Sequence, residues 1–201
     1  MGYNILIQQS ESMKRNKKQM RNAKYSNSSQ SSRLAKAMYG LSVLYELGIE
    51  GVQKDLAQSM YWLQRAACAG HNVAQRRLGE AYHWGDGVPQ DFGLAFYWCH
   101  KAARRGDAEA AYCLGLAYLD GKGTKRDVNA AKFWFSKAAA QDYTDAQLAL
   151  ARLLLRGKTQ TGYQEALLLL NRGADLGNTE CLHGLELLTE MEEQGILWAD
   201  L

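Results

Sequence analysis

The chain has little proline and no long apolar run. Of its 201 residues only Pro89 is a proline, while nearly half are hydrophobic, a composition that favours helices over a loop-rich or disordered chain. No apolar stretch reaches the roughly 18 residues of a membrane-spanning helix, and residues 5–7 form too short a run for a secretion signal. We therefore expect a cytoplasmic protein built mainly from helices.

Paired cysteines and metal-binding patterns are also missing. The cysteines share no common spacing and form no Cys-x-x-Cys pair, so neither a repeated disulfide framework nor a zinc site is expected; they are Cys68, Cys99, Cys113 and Cys181. The four histidines form no His-x-x-x-His pair that could hold a metal on one helical face. The sequence predicts buried free thiols, no metal and no cofactor.

Positive charge is concentrated at the amino end. Residues 1–33 contain seven lysines and arginines against Glu11 alone, a net charge of +6, which leaves 17 of 24 basic and 20 of 21 acidic residues for the rest. The body of the chain therefore lacks the charge of a nucleic-acid-binding domain. We expect residues 1–33 to form a flexible basic tail, with Tyr3–Ile7 docking in a groove of this or another copy as a further hypothesis.

The clearest regularity is a period of 36 residues. Trp62, Trp98 and Trp134 keep this spacing, as do Ala-Ala pairs that begin at residues 66, 102 and 138. A fixed period of about 20 to 50 residues is typical of solenoids, in which each unit buries its apolar face against its neighbours. The sequence therefore predicts a tandem array.

Each unit predicts a pair of helices. Residues spaced by four share one face of a first helix, Gly115 lets a neighbouring helix approach, and Asp127 is placed to cap a second helix. Gly121 and Gly123 suit a turn with positive φ between the two. The second unit repeats all the residue types that the third unit has at Ala110, Leu114-Gly115, Tyr118, Gly121, Gly123, Asp127, Ala131, Trp134 and Ala138-Ala139.

The three repeated tryptophans lie in the same second-helix stripe as the alanines. We predict that they are buried wedges between helices, although their spacing is also that expected of a ligand-stacking ladder. Truncating a buried tryptophan to alanine would cost about 3 to 5 kcal/mol.

Four units can be aligned in this way. The first, 34–72, has one extra residue between Gly48 and Gly51, and the units 73–107 and 108–143 follow it. The fourth, 144–178, is degenerate, with Leu154 in place of the tyrosine and Leu170 near the tryptophan position. Residues 179–201 predict a capping helix that shields the last repeat, and Ile196–Trp198 are expected to fold back onto it.

These residues resemble the Sel1-like repeat, a relative of the tetratricopeptide repeat, over about residues 34–178. The resemblance implies an all-α, right-handed superhelical α/α solenoid of about four Sel1-like repeats plus a C-terminal capping helix. It also implies a non-catalytic scaffold or adaptor for other proteins, although the motif itself is structural and does not identify a partner.

By analogy with tetratricopeptide arrays, the first helices line a concave groove. An aromatic and aliphatic centre, with Arg76 and Arg152 free to hold a carboxylate or a backbone carbonyl, would suit a peptide. The predicted groove residues are Tyr39, Val43, Arg76, Glu80, His83, Trp84, Tyr112, Leu116, Leu119, Leu148, Arg152 and Leu155. Core packing of the apolar members is the alternative interpretation, since a shift of one position moves a side chain inward.

No nucleophile elbow, phosphate-binding loop or dinucleotide fingerprint occurs in the sequence, so we do not expect an enzyme. The favoured function is a protein-interaction scaffold that binds a partner segment in the groove, with bacterial signalling, regulation or toxin immunity as possible settings. One alternative is a small-molecule binder or β-lactamase-like enzyme of the cysteine-rich Sel1-like kind. Those proteins carry paired cysteines in each repeat, and this chain does not. A nucleic-acid or membrane tether acting through the basic tail is the other. The oligomeric state stays open.

Overall fold

The computed structural model describes residues 29–193, and this part of the chain is all-helical with no strand. Residues 1–28 and 194–201 lie outside it. The basic cluster, the docking hypothesis for Tyr3–Ile7 and the expected return of Ile196–Trp198 therefore fall outside the described residues. Over residues 29–193 no helix is both long and apolar enough to cross a membrane.

Nine helices follow one another in the described range, and consecutive helices pair as hairpins. Together they confirm the all-α repeat architecture that the sequence predicts. Their bounds are α1 29–47, α2 Leu56–Cys68, α3 Asn72–Trp84, α4 Phe92–Ala103, α5 Ala108–Asp120, α6 Val128–Ala139, α7 Thr144–Leu155, α8 Gln160–Asp175 and α9 Thr179–Glu193.

The described residues divide into two compact units, 29–74 and 75–193. In the first, the hydroxyl oxygens of Ser42 on α1 and Ser59 on α2 lie 3.3 Å apart and are buried. The helix α1 already covers residues 29–33, which the sequence predicts as tail, because extending a formed helix costs little. Ala37, expected in the buried stripe, is exposed.

In the second unit each helix from α4 to α9 packs against the next one along the chain. One core cluster runs from α4 to α7 around Leu114, Phe135 and Leu150. A second cluster joins α7, α8 and α9 around Leu170 and Cys181. The helix α9 therefore covers the apolar face that the last hairpin would otherwise expose, which is the role expected of a cap.

The turns and caps follow the repeat. The carboxylate of Asp127 accepts hydrogen bonds from the backbone N–H groups of Asn129 and Ala130, at 2.9 and 3.0 Å. Gly121 and Gly123 have φ values of 74° and 71°, and a Cβ on Gly123 would meet the carbonyl oxygen of Phe92. The predicted cap and the predicted positive-φ turn are both confirmed.

Gly115 and Gly79 lie where a neighbouring helix leaves no room for a side chain. A Cβ placed on Gly115 of α5 would lie 2.3 Å from the Phe135 ring of α6, and one on Gly79 of α3 would lie 2.5 Å from the Cys99 sulfur of α4. This confirms the prediction that Gly115 permits a neighbouring helix to approach.

The prediction that the repeated tryptophans are buried is wrong. Trp62, Trp98 and Trp134 are only partly buried, whereas the next residue of each helix is in the core; these core residues are Leu63, Cys99 and Phe135. One residue turns the helix by about 100°, so the buried stripe of α6 runs through Ala131, Phe135 and Ala138. The tryptophan lies at the edge of that stripe.

Replacing Gly115 with alanine should destabilise the protein by about 1 to 3 kcal/mol, because the new methyl group overpacks against Phe135. Gly40→Ala is the matched control, since a Cβ there meets nothing within 4 Å, and it should stabilise α1 by about 0.5 to 1 kcal/mol. Urea unfolding monitored by circular dichroism measures both. Equal effects of the two changes would show that the close approach is not needed.

The full burial of Phe135 and the partial exposure of Trp134 predict different costs for truncating the two side chains. Phe135→Ala should cost about 3 to 5 kcal/mol, the range for a fully buried aromatic side chain, and Trp134→Ala clearly less. Thermal and urea unfolding of both variants provide the comparison. A larger loss of stability for Trp134→Ala than for Phe135→Ala would show that the tryptophan belongs to the core.

Candidate functional site

A cavity of about 260 Å³ opens between α3, α4 and α5 in the second unit. We call it the Trp84 cavity. Its buried lining comes from Ala95, Cys99 and Leu114, and its accessible lining includes Trp84 and Glu109. Ligand pockets for drug-sized molecules typically measure about 300 to 1,000 Å³, so this cavity suits one side chain better than a cofactor.

The cavity has a simple origin in the repeat. Cys99 occupies the position that Phe135 holds 36 residues later. The Phe135 ring lies over Gly115, and the Cys99 sulfur lies over the corresponding Gly79. A thiol fills less space than a benzyl group. Gly79 and Cys99 both line the cavity. Both helices keep their close approach, so the smaller side chain leaves volume unfilled.

Aromatic side chains surround the opening. Trp84, the last residue of α3, is 75% exposed and meets the His83 ring edge-on at 4.6 Å between centroids. Tyr112 of α5 and Tyr143, just before α7, also line the cavity, with ring centroids 5.3 Å apart. Trp84, Tyr112 and Tyr143 therefore give the lining of this cavity a large aromatic contact area with few rotatable bonds.

Arg76 is not free to bind a partner, in contrast to the sequence prediction. Its Nη1 lies 2.7 Å from Glu80 Oε1 and 2.8 Å from Glu109 Oε2, and its Nε lies 3.5 Å from Asp107 Oδ1. The same Asp107 oxygen accepts the Ala110 N–H and caps α5. Two of these carboxylates, Glu80 and Glu109, line the cavity and share one guanidinium, so negative charge is in excess between them.

Neighbouring groups respond to that charge. Burial raises the pKa of Glu109; Arg76 opposes this shift, while Glu80 and Asp107 add to it. Burial also raises the pKa of Tyr143, and Glu109 contributes in the same direction. The pKa of His83 is lowered by burial and by Lys122, so the positive end of the cavity lies at Lys122.

Two thiols line the cavity. Hydrogen bonding to Cys113 and burial together raise the pKa of Cys99, so Cys99 stays protonated near neutral pH. All four cysteines are free, but the prediction that they are buried holds only for Cys99 and Cys181. Cys68 is exposed because it ends α2 outside the buried stripe. Across the described helices no group of three His, Cys, Asp or Glu side chains is placed to hold a metal ion.

The structure brings only part of the predicted groove set together. Glu80, His83, Trp84, Tyr112 and Leu116 all line the Trp84 cavity. Leu119 is half-buried against the core around Phe135. In the first unit Tyr39 and Val43 are half-buried, and the Tyr39 ring stacks on His71 at 4.5 Å.

The residues predicted from the fourth repeat face the capping helix instead. Leu148, Arg152 and Leu155 line a separate cavity of about 330 Å³ together with residues of α9. Leu148 is only 9% exposed and belongs to the core of α7, α8 and α9, so its assignment to an open groove is wrong. Arg152 lies 3.5 Å from Glu180 of α9. The cap buries this part of the first-helix face because its own apolar side chains need a partner surface.

Sequence reasoning missed several lining residues and one exposed surface. Glu109 and Tyr143 flank α5 and line the Trp84 cavity, but neither repeats at the period that was used to find groove positions. On the second helices, Tyr97 and Phe133 are exposed, each edge-on to the following tryptophan, with a lysine amino group 4.5 and 5.5 Å from the ring. The dipeptides Tyr97-Trp98 and Phe133-Trp134, which recur at the repeat period, could have indicated this surface from the sequence.

The sequence pattern of the Sel1 repeat matches the chain four times, at residues 35–71, 72–107, 108–143 and 144–178. The chain belongs to the Sel1 repeat family. Proteins of this family commonly serve as protein-interaction scaffolds.

Two solved structures are similar to this Sel1 repeat protein. One is a protective antigen of uropathogenic Escherichia coli strains that displays an SLR fold, with 34% identity and a TM-score of 0.72 over 82% of this chain and 35% of that one. The other is a Sel1 repeat protein from Oxalobacter formigenes, with 32% identity and a TM-score of 0.70 over 80% of this chain and 46% of that one. The chain thus spans less than half of either relative. A comparison with curated proteins finds no match.

The Arg76 cluster generates a prediction about stability and pH. Arg76→Gln should cost about 1 to 3 kcal/mol near pH 7, because three carboxylates lose their charged donor. Without Arg76, which opposes the rise in the pKa of Glu109, repulsion from Glu80 and Asp107 raises that pKa further, and protonation of Glu109 relieves the repulsion. The deficit relative to the wild type should therefore shrink as the pH falls to about 4.

Arg152→Gln is the control, since both partners in its ion pair are more than half exposed and such pairs contribute at most about 1 kcal/mol. Urea unfolding of both variants at the two pH values measures the difference. A deficit for Arg76→Gln that is independent of pH would contradict an electrostatic role for this cluster.

Proposed function

We propose that this Sel1 repeat protein is a scaffold that binds a short segment of another protein, with the Trp84 cavity receiving one apolar side chain of that segment. The supporting observation is the position of Trp84. It is a large aromatic side chain, 75% exposed, at the opening of a cavity with an apolar lining. Tryptophan and tyrosine are the residues most enriched at the energetic centres of protein interfaces.

The geometry favours an extended or helical segment over a bulky globular surface. The cavity lies between neighbouring helices, and its accessible aromatic groups come from the end of α3, from α5 and from the residue preceding α7. A protruding side chain can enter between them while the flanking backbone runs across the helices. Burying one aromatic anchor in a preformed pocket also limits the entropy lost on binding.

Both similar structures are bacterial, which supports a bacterial adaptor as the setting, with signalling, regulation and toxin immunity as candidate processes. The cysteine-rich enzyme alternative gains no support, since the cysteines are free and do not recur with the repeat. The alternative of a nucleic-acid or membrane tether depends on residues 1–28, which lie outside the described range.

The proposal is tested by selecting short random peptides on the full-length protein and measuring the enriched peptides by fluorescence anisotropy. Trp84→Ala should weaken their binding by about tenfold or more, as expected for loss of an interface tryptophan. Leu168→Ala is the control, because Leu168 is 71% exposed on α8 and does not line the cavity. Both variants should keep the wild-type helix content and melting temperature.

Cys99→Phe provides an independent block of the same site. Phenylalanine is the residue that the next repeat holds at this position over its own glycine, so the variant should fold and should fill part of the cavity. Binding should again fall by about tenfold. Peptides that bind the wild type and all three variants equally, or a selection that enriches nothing, would refute the proposed function.

A further inference from the structure

We infer that the segment bound at the Trp84 cavity carries a lysine or arginine next to its apolar side chain, and that Glu80 and Glu109 receive this cation. The inference rests on the proposed function and adds the chemistry of the partner. It follows from the charge, the accessibility and the arrangement of the carboxylates at one edge of the cavity.

The first argument is the charge balance. Glu80 and Glu109, the two carboxylates of this cluster that line the cavity, share the single positive charge of Arg76. The excess is concentrated in a small region, since one guanidinium nitrogen touches both Glu80 and Glu109 within 2.8 Å. Like charges held this close favour the approach of a second cation.

Accessibility selects two of the three carboxylates. The side chains of Glu80 and Glu109 are 30% and 43% exposed and line the cavity. The side chain of Asp107 is 12% exposed, does not line the cavity and already caps α5. Arg76 contacts one oxygen of each glutamate, and a carboxylate can accept hydrogen bonds at both of its oxygens. Glu80 and Glu109 can therefore bind an added ammonium or guanidinium group while they hold Arg76.

The aromatic lining favours the same ligand. Tyr112 lies in the same helix as Glu109, and Tyr143 is close enough for Glu109 to raise its pKa. A cation beside the face of such a ring gains about 0.5 to 2 kcal/mol in proteins, more when it is shielded from water. The alkyl part of a lysine or arginine would meanwhile pack on the rings.

The two ends of α5 give the bound segment a direction. Glu109 is in the first turn of α5, and Lys122 lies just past the last residue of that helix. At 1.5 Å per residue these positions are roughly 20 Å apart along the axis. Lys122 is paired with Asp120 at 3.4 Å, so this end offers no excess negative charge to a cation. The basic residue of the partner should therefore lie towards the start of α5, with the apolar side chain between the two ends.

The test uses full-length protein and the selected peptides whose binding depends on Trp84. Their sequences should show lysine or arginine enriched beside the apolar residue. For the tightest such peptide, replacing the basic residue with glutamine should weaken binding to the wild type by about fivefold or more, and replacing it with glutamate should weaken it further. Binding should also weaken as the salt concentration rises.

Glu109→Gln should reproduce the loss on the protein side, and in this variant the lysine-to-glutamine change in the peptide should cost less than about twofold. This loss of coupling identifies the pair. Glu165→Gln is the charge-matched control, because Glu165 is exposed on α8 and does not line the cavity. If Glu109→Gln fails to fold, the glutamine and glutamate peptides on the wild type decide the question alone.

The outcomes separate the two proposals. Peptides that depend on Trp84 but bind equally with lysine, glutamine or glutamate beside the apolar residue would overturn the inferred cation and leave the scaffold function intact. Peptides that prefer an acidic residue at this position would overturn it as well. A failure to obtain any peptide that depends on Trp84 would remove the proposed function and this inference with it.

Discussion

The close approach of paired helices at a glycine is the constraint on which the rest of the second unit depends. Gly115 leaves room for the Phe135 ring, and Gly79 leaves room for the Cys99 sulfur. Without side chains at these points the hairpins pack tightly enough to bury a continuous core of small residues. The same spacing fixes the distance between α3 and α4, and so determines the space in which a cavity can form.

Function in such an array comes from departures from the repeat. The second and third units repeat the same motif residues, but the core position after the tryptophan is a cysteine in one and a phenylalanine in the other. The phenylalanine is fully buried over its glycine, whereas the cysteine lines the Trp84 cavity. The second unit thus has a candidate binding site beside its smaller core residue.

The charged residues show how tertiary contacts change what a sequence pattern means. In the sequence, Arg76 and Arg152 are both basic residues of first helices and were both expected to line the groove. In the folded chain Arg76 is mostly buried among three carboxylates, and Arg152 is largely exposed opposite Glu180 of the cap. The excess charge at the cavity is consequently negative, although the predicted groove contained two arginines. Glu80 lies four residues after Arg76 on α3, a spacing visible in the sequence, but Asp107 and Glu109 lie at the start of α5, and the spacing within one helix does not reveal them.

The sequence by itself determined the period, the helix pairs, the aspartate caps and the positive-φ turns, because each of these depends on residues close together in the chain. It also indicated that Trp84 would be accessible. Only the tertiary structure decided that Trp134 lies at the edge of the core, that Leu148 is buried by α9, and that Glu109 and Tyr143 share a cavity with Trp84. Helical periodicity fixes the direction of a side chain about its own axis, but its exposure depends on which neighbouring helix covers that direction.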